Sequence, residues 1–421
     1  MMTELPTATN MQWINALSTR PSLEAAIAEV VEQAQAALGD MAAAPADLGI
    51  LFVSSAFTSD FPRVLPLLRE QLPINALIGC SGGGIVGMDN TGTAQELIAS
   101  PAVSLTLARL PGVQLQTFHL RADDLPDLDS SPSAWVDVIG VAPETQPQFI
   151  VLADPFSSGI NDLLQGLDFA YPGQNKVGGL ASTTTVGNAP GLFCDRDFYQ
   201  AGVVGLALAG NVQLDTIVAQ GCRPIGEPYR VAEGERNILV SLEDHDRPGL
   251  HRPPLEMLQE IFQTLDETDR QLAQHSLFIG VAQSGFKQQL EPGDFLIRNL
   301  IGVDPKSGAI AIGDRVRTGQ RIQFHLRDAN TSADDLDTLL QRYGQMHSSA
   351  PQPFGALMFA CSGRGEGLYG EPNFDSQLFH DYQATVPLSG FFCNGEIGPV
   401  GGTTFLHGYT SVFGICRQPQ N

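Results

Sequence analysis

The sequence predicts a mixed α/β protein of two domains, built from repeated strand–helix–strand–hairpin units whose sheets pack face to face with helices outside. Short apolar runs alternate with one-sided helical patterns, and the whole pattern recurs about 100 residues further along. A chain of 421 residues with 43% hydrophobic and 16% charged residues also carries more core than one domain needs.

A leading helix starts after Pro21-Ser22, presents Leu23, Ala26, Ile27, Val30, Val31, Ala34 and Leu38 on one face, and stops at Gly39. The first repeat opens with the apolar strand Leu51–Phe57 and a helix carrying Phe61, Val64, Leu65 and Leu68. The small-residue loop L-I-G-C-S-G-G-G-I-V-G (Leu77–Gly87) follows, then a hairpin turning at Pro111-Gly112. The second repeat answers with Ile150–Phe156, then a helix carrying Ile160, Leu163, Leu164 and Leu167, with Ser157 and Ser158 as candidate N-caps. In its loop Val177–Gly187, Gly179 answers Gly79, and a hairpin turns at Gly210-Asn211. Met41–Gly140 and Gly140–Leu214 are therefore expected to superpose.

Strands are expected at Leu277–Val281, Phe295–Ile301, Ala309–Ile312 and Arg321–Leu326. One helix begins at Pro254 with Leu255, Leu258, Phe262 and Leu265 on its face; another, capped by Ser332, carries Leu336, Leu339, Leu340 and Tyr343. A third version of the unit closes the chain: strand Gly355–Ser362, a helix with Phe374, Leu378, Phe379 and Tyr382, the run V-P-L-S-G-F-F, the loop N-G-E-I-G-P and a final strand. The sharpest change of composition is C-R-P-I-G-E-P-Y-R at Cys222–Arg230, which divides the chain into domains 11–221 and 222–417.

With 23 Lys+Arg against 46 Asp+Glu the net charge is −23, which argues against nucleic acid as a partner, because neutralising phosphates supplies most of that affinity. The N-terminus has no basic stretch leading into an apolar one, and no window reaches 18 uninterrupted apolar residues. A cytoplasmic protein with no membrane insertion is expected. Six cysteines (Cys80, Cys194, Cys222, Cys361, Cys393, Cys416) show no C-x-x-C spacing and read as reduced core thiols. None of the eight histidines forms H-E-x-x-H or pairs with cysteine at ligand spacing, so neither metal nor haem is expected; His407, beside the Glu396 loop, is the one to watch.

Glu396 is the only formal charge between Tyr382 and Cys416, among residues that must be largely buried. An ionised carboxylate there needs a partner, either a ligand or the backbone N–H groups of its own turn. Arg364, in C-S-G-R-G-E-G, follows a buried strand directly, where α/β sheets place ligand sites. Its guanidinium suits bidentate capture of a carboxylate; the alternative is a pair with Glu366, Asp375 or another acid. The sharpest reading sets Arg364 and Glu396 across one cleft, holding the carboxylate and ammonium ends of an amino-acid-like ligand. Asn394, Cys361, Ser362, Ser81, Gly82, Gly83 and Thr183 are further candidate contacts. Gly79–Gly83 satisfies G-x-S-x-G, but no helix follows Ser81, which therefore reads as a loop-shaping residue and not a nucleophile.

Several of these segments resemble the FIST family. S-T-R-P-S-L-E-A-A-I (Ser18–Ile27) and L-I-G-C-S-G-G-G-I-V-G look like its N-terminal module; G-C-R-P-I-G (Gly221–Gly226), A-C-S-G-R-G (Ala360–Gly365) and P-L-S-G-F-F-C-N-G-E-I-G-P look like its C-terminal one. N-G-E-I-G with L-H-G-Y-T is most similar to the branch that includes the FIST region of a eukaryotic F-box adaptor. The resemblance implies a non-enzymatic sensory protein that binds an amino-acid-like small molecule and signals through a protein partner. A separate branch implies haem and nitric-oxide sensing. The alternatives are that haem sensor, a serine- or thiol-dependent hydrolase, and an adaptor with no ligand.

Overall fold

The computed structural model describes residues 11–39, 44–184, 189–244, 247, 249–283, 287, 289–290 and 292–420. Along the chain come β1 (Gln12–Ser18), α1 (Leu23–Leu38), β2 (Ala46–Ser54), α2 (Phe61–Arg69), β3 (Ile74–Gly82), β4 (Gly84–Met88), β5 (Ala94–Ile98), β6 (Val103–Arg109) and β7 (Val113–Leu120). Next are α3 (Pro132–Ile139), β8 (Gln148–Ala153), α4 (Ile160–Ala170), β9 (Lys176–Leu180), β10 (Leu192–Cys194), β11 (Asp197–Tyr199), β12 (Val203–Gly210) and β13 (Gln213–Ala219). A middle stretch holds β14 (Arg223–Glu235), β15 (Ile238–Asp244), β16 (His251–Arg252), α5 (Pro254–Thr264), α6 (Glu267–Leu272), β17 (Leu277–Ala282), β18 (Phe295–Val303), β19 (Ile310–Ile312), β20 (Arg321–Leu326) and α7 (Ala329–Met346). The chain closes with β21 (Gly355–Cys361), α8 (Glu366–Tyr369), α9 (Phe374–Tyr382), β22 (Leu388–Cys393), β23 (Glu396–Val400), β24 (Thr403–His407) and β25 (Ser411–Arg417).

Two compact units result: Met1–Val218 with Leu339–Asn421, and Ala219–Thr338. The stretch from Leu339 onward, expected in a C-terminal domain of residues 222–417, thus packs in the first unit, and the division falls inside α7. The second unit is a seven-stranded antiparallel sheet, β14-β20-β17-β18-β19-β15-β16, around Ile225, Val231, Leu239, Ile279 and Phe324. Its helix α5 buries Met257, Leu258 and Ile261, one step round from the expected face. Ser332 lies inside α7, where its hydroxyl donates to the Gly221 carbonyl.

The first unit is one motif used three times. In each copy a central strand runs parallel to the strand after its helix and antiparallel to a later one: β2 with β3 and β6, β8 with β9 and β12, β21 with β22 and β25. At one position in each parallel pair the strands come too close for a side chain. A Cβ on Gly79 would lie 2.1 Å from the Leu51 oxygen, on Gly178 1.8 Å from the Val151 oxygen, and on Gly390 1.9 Å from the Met358 oxygen. The partner of Gly79 in the second copy is therefore Gly178, one residue from the expected Gly179.

The copies exchange strands in a ring. The three sheets run β1-β6-β2-β3-β10-β11, β7-β12-β8-β9-β23-β24 and β13-β25-β21-β22-β4-β5. Each sheet has a core from one copy and an edge hairpin from the next, with β4–β5 closing the ring onto the third copy. The turns at Pro111-Gly112 and Gly210-Asn211 exist, but β6 and β7 lie in different sheets, as do β12 and β13. Ladder partners depend on distant strands, so a tight turn alone does not make a hairpin.

All three inner faces meet in one core, where Phe52, Ile78, Leu152, Val177, Phe359 and Phe391 pack together. Outside, α1 and α2 bury Ile27, Val30, Val64 and Leu65 on the first sheet, while α3 and α4 bury Trp135, Leu163 and Leu167 on the second. On the third, Phe379 of α9 stacks on Phe413. Ser157 and Ser158 do not cap α4, whose N-cap is Gly159. No helix among the described residues is long and apolar enough to cross a membrane.

Candidate functional site

In a parallel strand pair, ligands are met at the C-terminal ends, where the loops leave the sheet. Here three such pairs end at one place. Four residues beyond Gly79, Gly178 and Gly390 stand Gly83, Ser182 and Asn394, equivalent positions of the three copies. They are tied together through Ser182. Its hydroxyl accepts the Gly83 amide at 2.8 Å and donates to the Phe392 carbonyl, and its own amide donates to the Ser81 carbonyl at 3.2 Å. The Asn394 amide donates to the Leu180 carbonyl at 3.1 Å.

Around this knot Ser81 and Gly82 are buried, Gly83, Thr183 and Cys361 are half-buried, and Ser362 and Asn394 are exposed, so a floor of small buried residues carries a polar rim. Gly82 has to be glycine, because a Cβ there would meet the Gly84 oxygen at 2.7 Å and Phe391 at 2.9 Å. Thr184 extends the rim and donates its amide to the Ser55 hydroxyl at 3.1 Å. Cys361 and Cys393 face each other in register on β21 and β22, and the Ser362 amide donates to the Cys393 carbonyl at 3.0 Å. Burial, with smaller contributions from Glu396, Cys80 and Cys361, pushes the Cys393 thiol well up, which keeps it protonated and unreactive.

Ser81 bonds only to backbone in the described network: its hydroxyl accepts the Gly191 amide at 3.0 Å and donates to the Ser182 carbonyl at 3.4 Å. Glu396 opens β23 beneath the rim, fully buried, and its Oε2 accepts the amide of Thr410, in the connection from β24 to β25, at 3.1 Å. His407, its cross-strand neighbour, is also buried, with Nε2 3.0 Å from the Gly398 carbonyl. Among the described residues no three His, Cys, Asp or Glu side chains are grouped to hold a metal ion.

Arg364 is placed differently from the rim. Its guanidinium is buried and grips Asp375 of α9, with Nε 2.6 Å from Oδ2 and Nη2 2.9 Å from Oδ1, while Nη2 also reaches the Tyr369 hydroxyl at 2.5 Å. This is the acid-pair alternative, and it commits the bidentate fork to the protein itself. Beside the pair, burial and then the Asp375 charge push the Glu96 carboxyl of β5 up to about 7.

Sequence reasoning passed over Ser182 and Glu96. Ser182 could have been found by aligning the repeats on their close-approach glycines, which places it level with Gly83 and Asn394. Glu96 left no local signal, since its neighbours come from α9, 280 residues away.

Family models match residues 47–245 as a FIST N domain and residues 254–399 as a FIST C domain. An uncharacterized protein of Mycobacterium tuberculosis is 34% identical over 399 residues, covering 95% of this chain and 98% of that one. Another, from Mycobacterium bovis, is 32% identical over 388 residues, covering 91% and 94%. An F-box/LRR-repeat protein of Arabidopsis thaliana is 23% identical over 362 residues, covering 75% and 67%. Among solved structures, a cyanuric acid hydrolase from A. caulinodans aligns over 96% of this chain and 99% of its own at 10% identity and a TM-score of 0.34. Two family modules spanning most of the chain place it in the FIST family of ligand-binding sensory domains.

Proposed function

We propose that this protein is a non-enzymatic sensor that seats an amino-acid-like metabolite at the meeting point of its three copies and signals through a protein partner. The observation that carries the reading is the convergence of three strand pairs, C-terminal ends first, on a small-residue floor under a polar rim. Thr183, Ser362 and Asn394 supply hydroxyl and amide groups there, and Glu396 supplies negative charge below. That charge favours the ammonium end of such a ligand; rim donors, not Arg364, then face its carboxylate. Backbone-bonded Ser81 and the buried Cys393 thiol favour binding over nucleophilic chemistry.

The test is a thermal-shift screen of the purified protein against free amino acids and their amine and carboxylate analogues, with native mass spectrometry of whatever co-purifies. Ligand at about 100 times its dissociation constant adds roughly 2.7 kcal/mol, a shift of a few degrees. Asn394→Ala and Glu396→Gln should abolish that shift. A panel in which no amino-acid-like compound raises the melting temperature removes the reading.

A further inference from the structure

The ring of exchanged hairpins is fastened at three places, and one fastening is unlike the others. Hairpin β10–β11 is held by Arg69 of α2, whose Nε donates to the Asp195 carbonyl at 2.7 Å. Hairpin β23–β24 is held by Asp168 of α4, which accepts the Thr404 amide at 2.7 Å and hydroxyl at 2.8 Å. Hairpin β4–β5 instead presents one acid, Glu96, to another, Asp375. Glu96 of β5 accepts the Ser376 amide of α9 at 2.8 Å, and its own amide donates to the Asn373 side chain at 2.6 Å.

Glu96 is 8% exposed, and its Oε2 is buried without a hydrogen-bond partner among the described residues. The charges acting on it are Asp375 of α9, fully buried, and Arg364, which precedes α8. Tyr369 completes the group, with its hydroxyl 2.8 Å from Asp375 Oδ1. β4, paired to β5, carries no titratable side chain, and β22 brings only the buried Cys393 thiol. Two buried carboxylates therefore lie within the influence of one guanidinium, whose bidentate hydrogen bonds go to Asp375. An ionised Glu96 would add a second negative charge in a buried place, where solvent screens it little.

We propose that Glu96, Asp375 and Arg364 form a proton-operated latch: a proton on Glu96 holds hairpin β4–β5 against α9, and its loss loosens the hairpin. β4 begins two residues after Gly82, so the latch lies on the chain segment that leaves the small-residue floor. The device needs no ligand and stands apart from the binding reading.

Hydrogen exchange of the ligand-free protein between pH 5 and 8.5, corrected for intrinsic rates, tests it. Protection of the amides from Ile85 to Leu97 should fall by up to tenfold per unit from pH 5 to 7 and level off above, as opening releases Glu96 to water. Amides of β12, which exchange through opening of the whole unit, should stay better protected than the hairpin at every pH. Glu96→Gln, which keeps the Ser376 acceptor without the charge, should abolish the pH dependence. Hairpin protection that is flat with pH or equal to that of β12 in the wild type, or a Glu96→Gln hairpin with the wild-type profile, overturns the proposal. The wild-type comparison decides the matter even if the variant folds poorly.

Discussion

The Lys176 ammonium, wholly buried at the start of β9, lies 2.8 Å from the Asp168 carboxylate, the same carboxylate that holds the Thr404 amide and hydroxyl of hairpin β23–β24. Burial pulls the Lys176 ammonium below its ordinary value, while Asp168 pulls it back up. The Tyr171 and Gln174 carbonyls, at 3.1 and 2.9 Å, take its other protons at the end of α4. One acid thereby serves a charge inside its own copy and a strand donated by another. Asp168→Ala should cost about 3–5 kcal/mol, because it strands a buried cation as well as releasing the hairpin. Urea denaturation checks this, and a loss below about 1 kcal/mol would mean that the pair is not structurally important.

The close-approach glycines set a second expectation. Gly390→Ala would drive a Cβ to 1.9 Å from the Met358 oxygen, a clash that requires the parallel pair to separate. Soluble protein should be lost. Gly363→Ala, whose Cβ would meet nothing nearer than 3.8 Å, should express and melt like the wild type. Equal behaviour of the two variants would refute the role given to this contact.

Glu96 makes stability depend on pH in a direction opposite to most carboxylates. Its carboxyl moves from an ordinary 4.5 to about 7 in the folded protein, so the fold binds a proton that the unfolded chain has released. The associated stability is full below about pH 4.5 and is lost as pH rises to about 7, after which the contribution is flat. The difference amounts to about 3 kcal/mol. Denaturation midpoints of the wild type and Glu96→Gln, followed from pH 4.5 to 8, should diverge over that window; parallel curves would contradict it.

Ser182 is the joint between copies. Ser182→Ala leaves the Gly83 amide and the Phe392 carbonyl without this partner, at a cost of about 1–3 kcal/mol. Because the floor of the rim is what shifts, any ligand response found with the wild type should weaken in this variant more than stability alone explains. Thermal shifts at matched ligand saturation measure that. An unchanged response would move the ligand site elsewhere.

Much of this was legible in the chain. Apolar runs such as Leu51–Phe57 and Ile150–Phe156 announced equivalent central strands, and the Pro111-Gly112 and Gly210-Asn211 turns fall between strands, because these signals are local. Pairing was not legible: nothing around Val113 says that β7 crosses to the second sheet. The grouping of Ser81, Gly83, Thr183, Cys361, Ser362 and Asn394 followed from small residues placed after strands. The fate of Arg364 was legible only as one of two alternatives, a pair with Glu366, Asp375 or another acid, because only the buried face of α9 singles out Asp375. Glu96 lay beyond sequence reasoning for the same reason, as an edge-strand acid whose surroundings come from another copy.

The edge position that a strand after β25 would take is filled by β1, from the other end of the described chain. The copies thus interlock like a three-link bracelet whose clasp happens to sit at β1. Removing any one link strips a strand from each neighbour, so the unit should melt as a whole and resist being cut into thirds. Conversely, the clasp should be relocatable: a permuted chain joined between β25 and β1 and opened at another between-copy connection keeps every ladder.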